Sequence, residues 1–353
     1  ASRFDEQTAY VAVNRIRCDD LQAYIYKTTD GGASWKLITT GLPNEPINSV
    51  REDGIKKGLL FAGSENAIYT SLDGGSNWQS LQLNMPATSI RDLVIKDDDI
   101  VVGTHGRSFW ILDNITPLRQ INNTTSKETV LFKPQPAIRV RWNMNTDTPL
   151  PPEEPAGLNP PDGAVIDFNL PTNTTGPVVI SITDAKGKII RTFSSNDSLY
   201  TIPAVNIPLY WIRPQSVLPA TAGAHRFLWD LKYTPINIPV NYPMTAVKNN
   251  TAPDATAPWV MPGSYTITLQ VNGKTYAQPL QIKMDPRVKT SMQDLQKQHD
   301  LSMICYEGRK KTIDKNPALF RKFSALFEIL EQTEMPPTNQ VINAVLAAQK
   351  ELN

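Results

Sequence analysis

Carboxylates are the side chains of this sequence best suited to chemistry, and two of them recur at a fixed spacing. Asp30 and Asp73 lie 43 residues apart, inside the eight-residue signatures TTDGGASW (residues 28–35) and SLDGGSNW (residues 71–78). Paired carboxylates about 5 to 10 Å apart, one with a raised pKa, would suit hydrolysis of a glycosidic bond. The adjoining glycines and the hydroxyl two positions before each aspartate instead favour turns that engage these carboxylates. We therefore expect Asp30 and Asp73 to stabilise these turns and not to act in catalysis.

The signature belongs to a longer repeat, because the same offset of 43 residues also aligns Tyr26 with Tyr69 and Ile47 with Ile90. A period of this size is typical of the four-stranded blades of a β-propeller. Each tryptophan is expected to pack between neighbouring sheets. A ring closes with about four to eight blades, so two intact units and one eroded copy near residue 115 predict part of a propeller, with a missing amino-terminal portion as its partner. The residues assigned to the structural signature are Thr28, Asp30, Gly32, Trp35, Ser71, Asp73, Gly75 and Trp78.

Charged residues cluster in the predicted connections between the second and third strands of each unit. Equivalent loops of adjacent blades lie on one face, where they can line a concave polar site. The alternative is a set of solvated loops with a structural His-Gly-Arg turn. Asp53, Asp92 and Glu65 are weak candidates for catalysis, and we expect any acid and base to lie in the missing blades. The candidate ligand-binding residues are Arg15, Arg17, Asp19, Asp20, Glu65, His105 and Arg107.

The signature Ser/Thr-x-Asp-x-Gly-x-x-Trp is the Asp-box. With the runs YIYKTTDGG (residues 24–32) and THGRSFWILD (residues 104–113), the chain resembles large secreted bacterial proteins known as glycosyl hydrolases with Asp-box (BNR) repeats. Their propellers are similar to those of sortilins and xyloglucan-degrading enzymes. The resemblance implies secretion or a periplasmic location, and a parent protein that binds or processes polysaccharide or oligosaccharide, with this part itself non-catalytic. A sortilin-like module that binds protein or peptide without enzymatic activity is the alternative.

The rest of the chain changes pattern twice. Alternating apolar residues from Ala164 onward predict a β-sandwich, and the run PGSYTI (residues 262–267) resembles an immunoglobulin-like domain. After Pro286 the period of the apolar residues becomes helical. The first helix is expected to bury one face, formed by Met292, Leu295, His299, Met303 and Tyr306. The predicted fold class is mainly β with a carboxyl-terminal α segment. The predicted regions are an incomplete propeller of two to three blades (1–120), a Pro-rich linker (121–160), a sandwich with a Pro-rich insertion (161–286) and carboxyl-terminal helices (287–353).

Composition narrows the classes of function. The net charge of +1 gives no broad basic field for nucleic acid. No apolar run reaches the roughly eighteen residues of a membrane span, and the first residues do not read as a signal peptide. Cys18 and Cys305 are the only cysteines, which argues against a disulfide scaffold or a Cys-rich metal site. No phosphate loop or dinucleotide fingerprint is present, so neither a cofactor nor a metal is predicted.

Overall fold

The computed structural model describes residues 1–122, 125–141, 150–238 and 257–353, apart from 152, 155, 158, 200, 203, 204, 206 and 213–215. These residues form two compact units, Ala1–Thr125 and Ser126–Asn353. The chain is mainly β, with several sheets followed by a helical segment at its carboxyl end. The predicted fold class is confirmed at this level. None of the described helices is both long and apolar enough to cross a membrane.

Three antiparallel sheets make up the first unit, and each is built from strands in chain order. Its one α-helix among the described residues, α1, spans Thr116–Gln120. Three sheets are fewer than a closed ring needs, so the described residues do not form a full propeller. The strands are β1 (Ala9–Ala12), β2 (Ile25–Thr28) and β3 (Lys36–Leu37) in the first sheet; β4 (Ile47–Glu52), β5 (Leu60–Ser64), β6 (Ile68–Ser71) and β7 (Gln79–Ser80) in the second; and β8 (Ile90–Lys96), β9 (Asp99–Thr104) and β10 (Phe109–Leu112) in the third.

Strand β5 shows how the second sheet is buried on both faces. Successive side chains of a strand point to opposite faces of the sheet. Leu60 and Ala62 therefore join the core shared with the first sheet, while Leu59, just before the strand, and Phe61 join the core shared with the third. All four are fully buried, and each large apolar side chain contributes about 1.5 to 3 kcal/mol on burial. The three sheets consequently pack as consecutive layers.

Two sheets of the second unit share one hydrophobic core. The larger sheet is antiparallel except for its edge strand β12 (Ala137–Arg139), which pairs in parallel with β18 (Lys274–Met284). Both β11 (Val130–Leu131) and β12 lie within residues 121–160, the predicted linker. These strands are two and three residues long, which is too short to show an alternating pattern. Much of the predicted Pro-rich insertion falls in 239–256, outside the described residues. The smaller sheet has the order β11 (Val130–Leu131), β13 (Ala164–Leu170), β16 (Gly223–Trp229), and the larger has β12 (Ala137–Arg139), β18 (Lys274–Met284), β17 (Gly263–Val271), β14 (Val179–Asp184), β15 (Ile189–Ser194).

Three helices follow the sheets and share a second core. They are α2 (Met292–Thr312), α3 (Pro317–Glu331) and α4 (Asn339–Leu352), and their N-caps are Ser291, Asn316 and Thr338, each accepting a hydrogen bond from a backbone N–H of the first turn.

The predicted buried face of α2 was partly wrong. Met292 is 52% exposed, whereas the polar residues Gln298, Ser302 and Arg309 are buried. Gln298 donates hydrogen bonds to the carbonyl oxygens of Leu330 and Thr333, so its burial is compensated by these hydrogen bonds. The spacing of apolar residues cannot predict a helix face that is buried through hydrogen bonds of polar side chains.

Candidate functional site

A β-bulge recurs at the same place in the second and third sheets. The register of β4 against β5 shifts at Asn48, and that of β8 against β9 shifts at Arg91. These two residues lie 43 apart, at the period of the sequence repeat. A bulge leaves one residue outside the regular ladder and re-aims its side chain. Asn48 and Arg91 are thereby free to reach polar groups beyond their own strands.

The carboxylate of Glu65, just after β5, is where these side chains meet. Its Oε1 accepts hydrogen bonds from Nδ2 of Asn48 at 3.0 Å and from Nδ2 of Asn14 at 3.2 Å. It also pairs with Nη1 of Arg91 at 3.3 Å. Asn14 follows β1 and Arg91 belongs to β8. One carboxylate oxygen therefore joins groups from all three sheets.

Arg91 extends this network to His105, which follows β9. Its Nη2 lies 3.2 Å from Nδ1 of the imidazole. A guanidinium can only donate, so Nδ1 accepts and the proton of the neutral ring is on Nε2. Both side chains are exposed, leaving the Nε2–H donor accessible. We call Asn14, Asn48, Glu65, Arg91 and His105 the Glu65 cluster.

Glu65 is held in its charged form. Partial burial raises its pKa, but the Ser89 hydroxyl, the amides of Asn48 and Asn14 and the Arg91 charge outweigh burial, so the pKa of Glu65 lies below its ordinary value. Its side chain is 17% exposed. The cluster therefore combines a carboxylate acceptor with amide, guanidinium and imidazole donors.

The predicted loop residues after β1 form their own group. Arg15 pairs with Asp20 at 2.9 Å, and the hydroxyl of Tyr24 donates to Asp20 at 2.9 Å. Arg17 and Asp19 are exposed in the short turn between Arg15 and Asp20. The hydrogen bonds and ion pairs of the described residues do not connect these four predicted residues to Glu65. They flank the Glu65 cluster through Asn14, whose Oδ1 accepts from the Ile16 backbone N–H.

Arg107, the last of the predicted loop residues, is exposed beyond His105. Its backbone N–H donates to Oγ1 of Thr104 at 3.1 Å, and its carbonyl accepts from Nε1 of Trp110 at 2.9 Å. The turn is thus fixed by its backbone. The guanidinium has no ion-pair partner among the described residues, and so extends the donor surface next to His105.

The other two catalytic candidates are engaged in ion pairs. Asp53 is fully buried and accepts from Nε and Nη2 of Arg119 at 2.9 to 3.1 Å. Asp92 accepts from Nη2 of Arg51 at 2.7 Å and from the Leu93 backbone N–H at 2.8 Å. Neither carboxylate contacts Glu65 through a described hydrogen bond. The contacts of Asp53 tie α1 to the second sheet, while those of Asp92 join neighbouring first strands.

The Asp-box turns use their polar side chains internally. Oγ1 of Thr28 donates to Asp30 at 2.7 Å and accepts from the Gly32 N–H at 2.9 Å, while both N–H and Oγ of Ser34 donate to Asp30. The hydrogen bonds from Ser34 and Thr28 lower the pKa of Asp30 to about 2. The second turn repeats this pattern, with Ser71, Asp73 and Gly75 in the equivalent places.

The two tryptophans of these turns differ in environment. Trp78 is 5% exposed and packs between the first and second sheets, whereas Trp35 is 44% exposed. Sequence alone gives the two residues the same expected position, because it does not report which sheet faces are covered.

Sequence reasoning did not single out Asn14, Asn48 or Arg91. A signal was available for two of them, since Asn48 and Arg91 fall at the same repeat position and both side chains are polar. Asn14 carries no comparable signal. Within the described part of the chain, no group of three or more His, Cys, Asp or Glu side chains is arranged to hold a metal ion.

A second polar cluster lies inside the second unit. Glu334 pairs with Arg139 at 2.8 Å and with Arg141 at 3.2 Å, and both guanidinium groups lie over the ring of Trp259. Burial raises the pKa of nearby Glu331, although the charges of Lys232, Arg141 and Arg139 oppose it. The cavity among these groups measures about 10 Å³, which admits about one water-sized molecule. This cluster is too tightly packed for a larger ligand.

The fold and the Glu65 cluster together define a repeated-sheet protein with a polar site along one edge. A scan against models of protein families finds no match, and a search of curated proteins finds none either. Among solved structures, the chain is similar to an ancestral GH74 enzyme at 11% identity and a TM-score of 0.27, over 80% of this chain. The chain spans 45% of the length of that enzyme. A TM-score of this size gives no information on function.

Proposed function

We propose that the first unit binds carbohydrate at the Glu65 cluster and does not itself cleave it. The observation that carries the proposal is the convergence of Asn14, Asn48 and Arg91 on one carboxylate, with His105 attached to Arg91. Sugar hydroxyls both donate and accept hydrogen bonds. A carboxylate next to amide, guanidinium and imidazole N–H groups offers both partners within one site.

The ionisation of Glu65 favours binding over catalysis. A glycosidase acid must be protonated at working pH, which requires a raised pKa. The pKa of Glu65 is instead lowered, since its polar neighbours and Arg91 outweigh the effect of partial burial. A carboxylate with a lowered pKa is a good acceptor for hydroxyl groups and a poor proton donor at neutral pH.

The proposed fold is that of the Asp-box family named above. In this proposal the three sheets of the first unit are propeller blades, the sheets of the second unit form an immunoglobulin-like sandwich, and the protein acts outside the cytoplasm. The two turns with identical hydrogen bonds around Asp30 and Asp73 support the first part. The common core of the two later sheets supports the second.

The test is binding of the full chain to an array of neutral and acidic oligosaccharides, followed by calorimetric titration of the strongest ligand. Glu65→Gln and Arg91→Ala each remove a charge-assisted contact, so we expect about a tenfold or greater loss of affinity. The matched control is Arg51→Ala, which breaks the exposed Arg51–Asp92 pair on neighbouring first strands and is expected to leave affinity unchanged. Absence of glycan binding, or equal binding by all three variants, would contradict the proposal.

Protein or peptide binding is the second candidate function. The third sheet exposes Phe109 (75%) and Ile111 (58%), and exposed apolar side chains of this size favour a protein ligand. Peptide binding that is lost in Phe109→Ser but retained in Glu65→Gln would favour this function over carbohydrate recognition.

A further inference from the structure

The turn that carries Glu65 is held by the segment that precedes β4. Oε1 of Glu45 accepts a hydrogen bond from the hydroxyl of Ser64 at 2.7 Å, and Oε2 accepts from Nδ2 of Asn66 at 2.6 Å. The carbonyl oxygen of Pro46 accepts from the Glu65 backbone N–H at 3.0 Å. The residues on both sides of Glu65 are therefore bound to one carboxylate, and Glu65 itself is bound to the next carbonyl along the chain.

Glu45 is a buried carboxylate that is held by hydrogen bonds. It is 7% exposed, and a third donor, the hydroxyl of Tyr69, lies 2.5 Å from Oε1. Burial of a carboxylate is costly unless hydrogen bonds replace its hydration, and hydrogen bonds to a charged acceptor are about twice as strong as neutral ones. The turn is thus fixed more firmly than a neutral side chain at this position would fix it.

The next repeat uses the same positions for the equivalent loop. Thr88 and Ser89 stand 43 residues after Glu45 and Pro46. The carbonyl oxygen of Ser89 accepts from the His105 backbone N–H at 2.8 Å, and the hydroxyl of Thr88 donates to the His105 carbonyl at 3.4 Å. His105 directly follows β9, as the central carboxylate of the Glu65 cluster directly follows β5. In both sheets, the segment before the first strand holds the loop residue that the sheet contributes to the cluster.

Asn66 also connects the two loops to each other. Its side chain is bound to Glu45, while its carbonyl oxygen accepts from the backbone N–H of Thr88 at 3.0 Å. Thr88 is 8% exposed. Hydrogen bonds therefore run from Glu45 through Asn66 and Thr88 to the backbone of His105, beside the exposed contacts of the cluster.

We propose that Glu45 is a positioning residue of the Glu65 cluster, which sets the place of the Glu65 carboxylate and is too buried to contact a ligand itself. The contacts of Glu65 with Asn14, Asn48 and Arg91 measure 3.0 to 3.3 Å, which is close to the upper limit for a hydrogen bond. A small displacement of the turn consequently breaks them. The effect on ligand affinity rests on the function proposed above, whereas the effect on Glu65 does not.

The test is the pKa of Glu65 in the full chain, measured by NMR titration of its side-chain carboxyl carbon and assigned from the loss of the signal in Glu65→Gln. Glu45→Ala removes the acceptors that hold the turn. Glu65 then moves away from its donors, and its lowered pKa is expected to rise toward the ordinary value. Loss of a neighbouring negative charge without displacement would instead lower this pKa, so the sign of the shift separates position from charge.

Two further variants make the result specific. Asn66→Ala removes one of the two contacts between Glu45 and the turn at an exposed residue; it is expected to raise the pKa of Glu65 and tests the role of Glu45 even where Glu45→Ala does not fold. The matched control, Tyr69→Phe, removes a donor to Glu45 but leaves both contacts to the turn, and should leave the pKa unchanged. An unchanged or lowered pKa in Glu45→Ala, an unchanged pKa in Asn66→Ala, or an equal rise in Tyr69→Phe would overturn the proposal.

The titration needs no ligand, so it separates the role of Glu45 from carbohydrate binding. Absence of glycan binding by the original chain contradicts the proposed function and leaves the positioning role intact. With the strongest oligosaccharide of the array, Glu45→Ala is expected to bind about tenfold more weakly than the original chain. Affinity that is lost in Glu65→Gln but retained in Glu45→Ala would overturn the positioning role.

Discussion

Asn48 and Arg91 occupy the same bulge in consecutive sheets, and both direct a nitrogen donor to the same oxygen of Glu65. Asn48 reaches the carboxylate that follows the neighbouring strand of its own sheet. Arg91 reaches it from the next sheet, while also contacting His105. The bulged residues therefore connect neighbouring sheets along a polar edge. These contacts add to the packing within the hydrophobic cores.

The contact between Arg91 and His105 predicts the tautomer of the histidine. Since the guanidinium donates to Nδ1, the neutral ring is expected to carry its proton on Nε2. In Arg91→Ala this preference should weaken, because the donor is gone. The ¹⁵N shifts of the His105 ring measure the tautomer directly, with Arg51→Ala as the control that should match the original chain. Equal shifts in the Arg91→Ala protein would contradict the prediction.

The two repeated tryptophans are expected to differ in their contribution to stability. Trp78→Ala removes a buried indole and its hydrogen bond to the carbonyl oxygen of Ile38, and should cost about 3 to 5 kcal/mol of unfolding free energy. Trp35→Ala removes a side chain that is 44% exposed and should cost about 1 kcal/mol or less. Urea unfolding of both variants measures the difference. Similar costs would show that the surroundings of the two residues are alike.

Asp30 should make stability depend on pH in the acid range. Hydrogen bonds from Ser34 and Thr28 lower its pKa from 3.8 to about 2, so its ionised form is favoured by folding. This contribution is fully present above about pH 4 and is lost as pH falls through 2. Melting temperatures should fall between pH 5 and pH 2 in the original chain, and they should fall less in Asp30→Asn, in which the other carboxylates with lowered pKa values, such as Glu65 and Asp73, still titrate. Ser34→Ala should raise the pKa of Asp30 in an NMR titration; an unchanged value would refute the assigned cause.

Loss of the negative charge at Glu331 and at Glu334 is expected to have opposite effects on the free energy of unfolding. Burial raises the pKa of Glu331 above 4.5, so folding favours its protonated form; that stability is present below 4.5 and is lost as pH rises through the folded-state pKa. Glu331→Gln should therefore become more stable than the original chain as pH rises. Glu334→Gln breaks the pairs with Arg139 and Arg141 and should cost about 3 kcal/mol or more. Chemical unfolding at several pH values tests both, and destabilisation by both variants at high pH would contradict the assignment.

The repeat makes part of the first unit predictable, because β2, β3 and β4 recur 43 residues later as β6, β7 and β8. The Glu65 cluster is only half visible in the sequence. Glu65 and His105 stand out as ionisable loop residues, but the roles of Asn48 and Arg91 depend on a bulge, and a bulge is defined by the partner strand. The buried face of α2 escapes prediction for a related reason, since Gln298 and Ser302 are buried despite their polarity.

The recurring bulge separates two roles within the second and third sheets. Positions such as Leu60 and Ile90 hold the layers together and tolerate little change, whereas the bulged residues contribute no regular ladder pairing. Exchange of Asn48 or Arg91 for another polar residue should therefore alter which chemical groups the edge recognises while the scaffold persists. In the proposed binding site, each repeat that contains the bulge therefore brings one variable position to the edge.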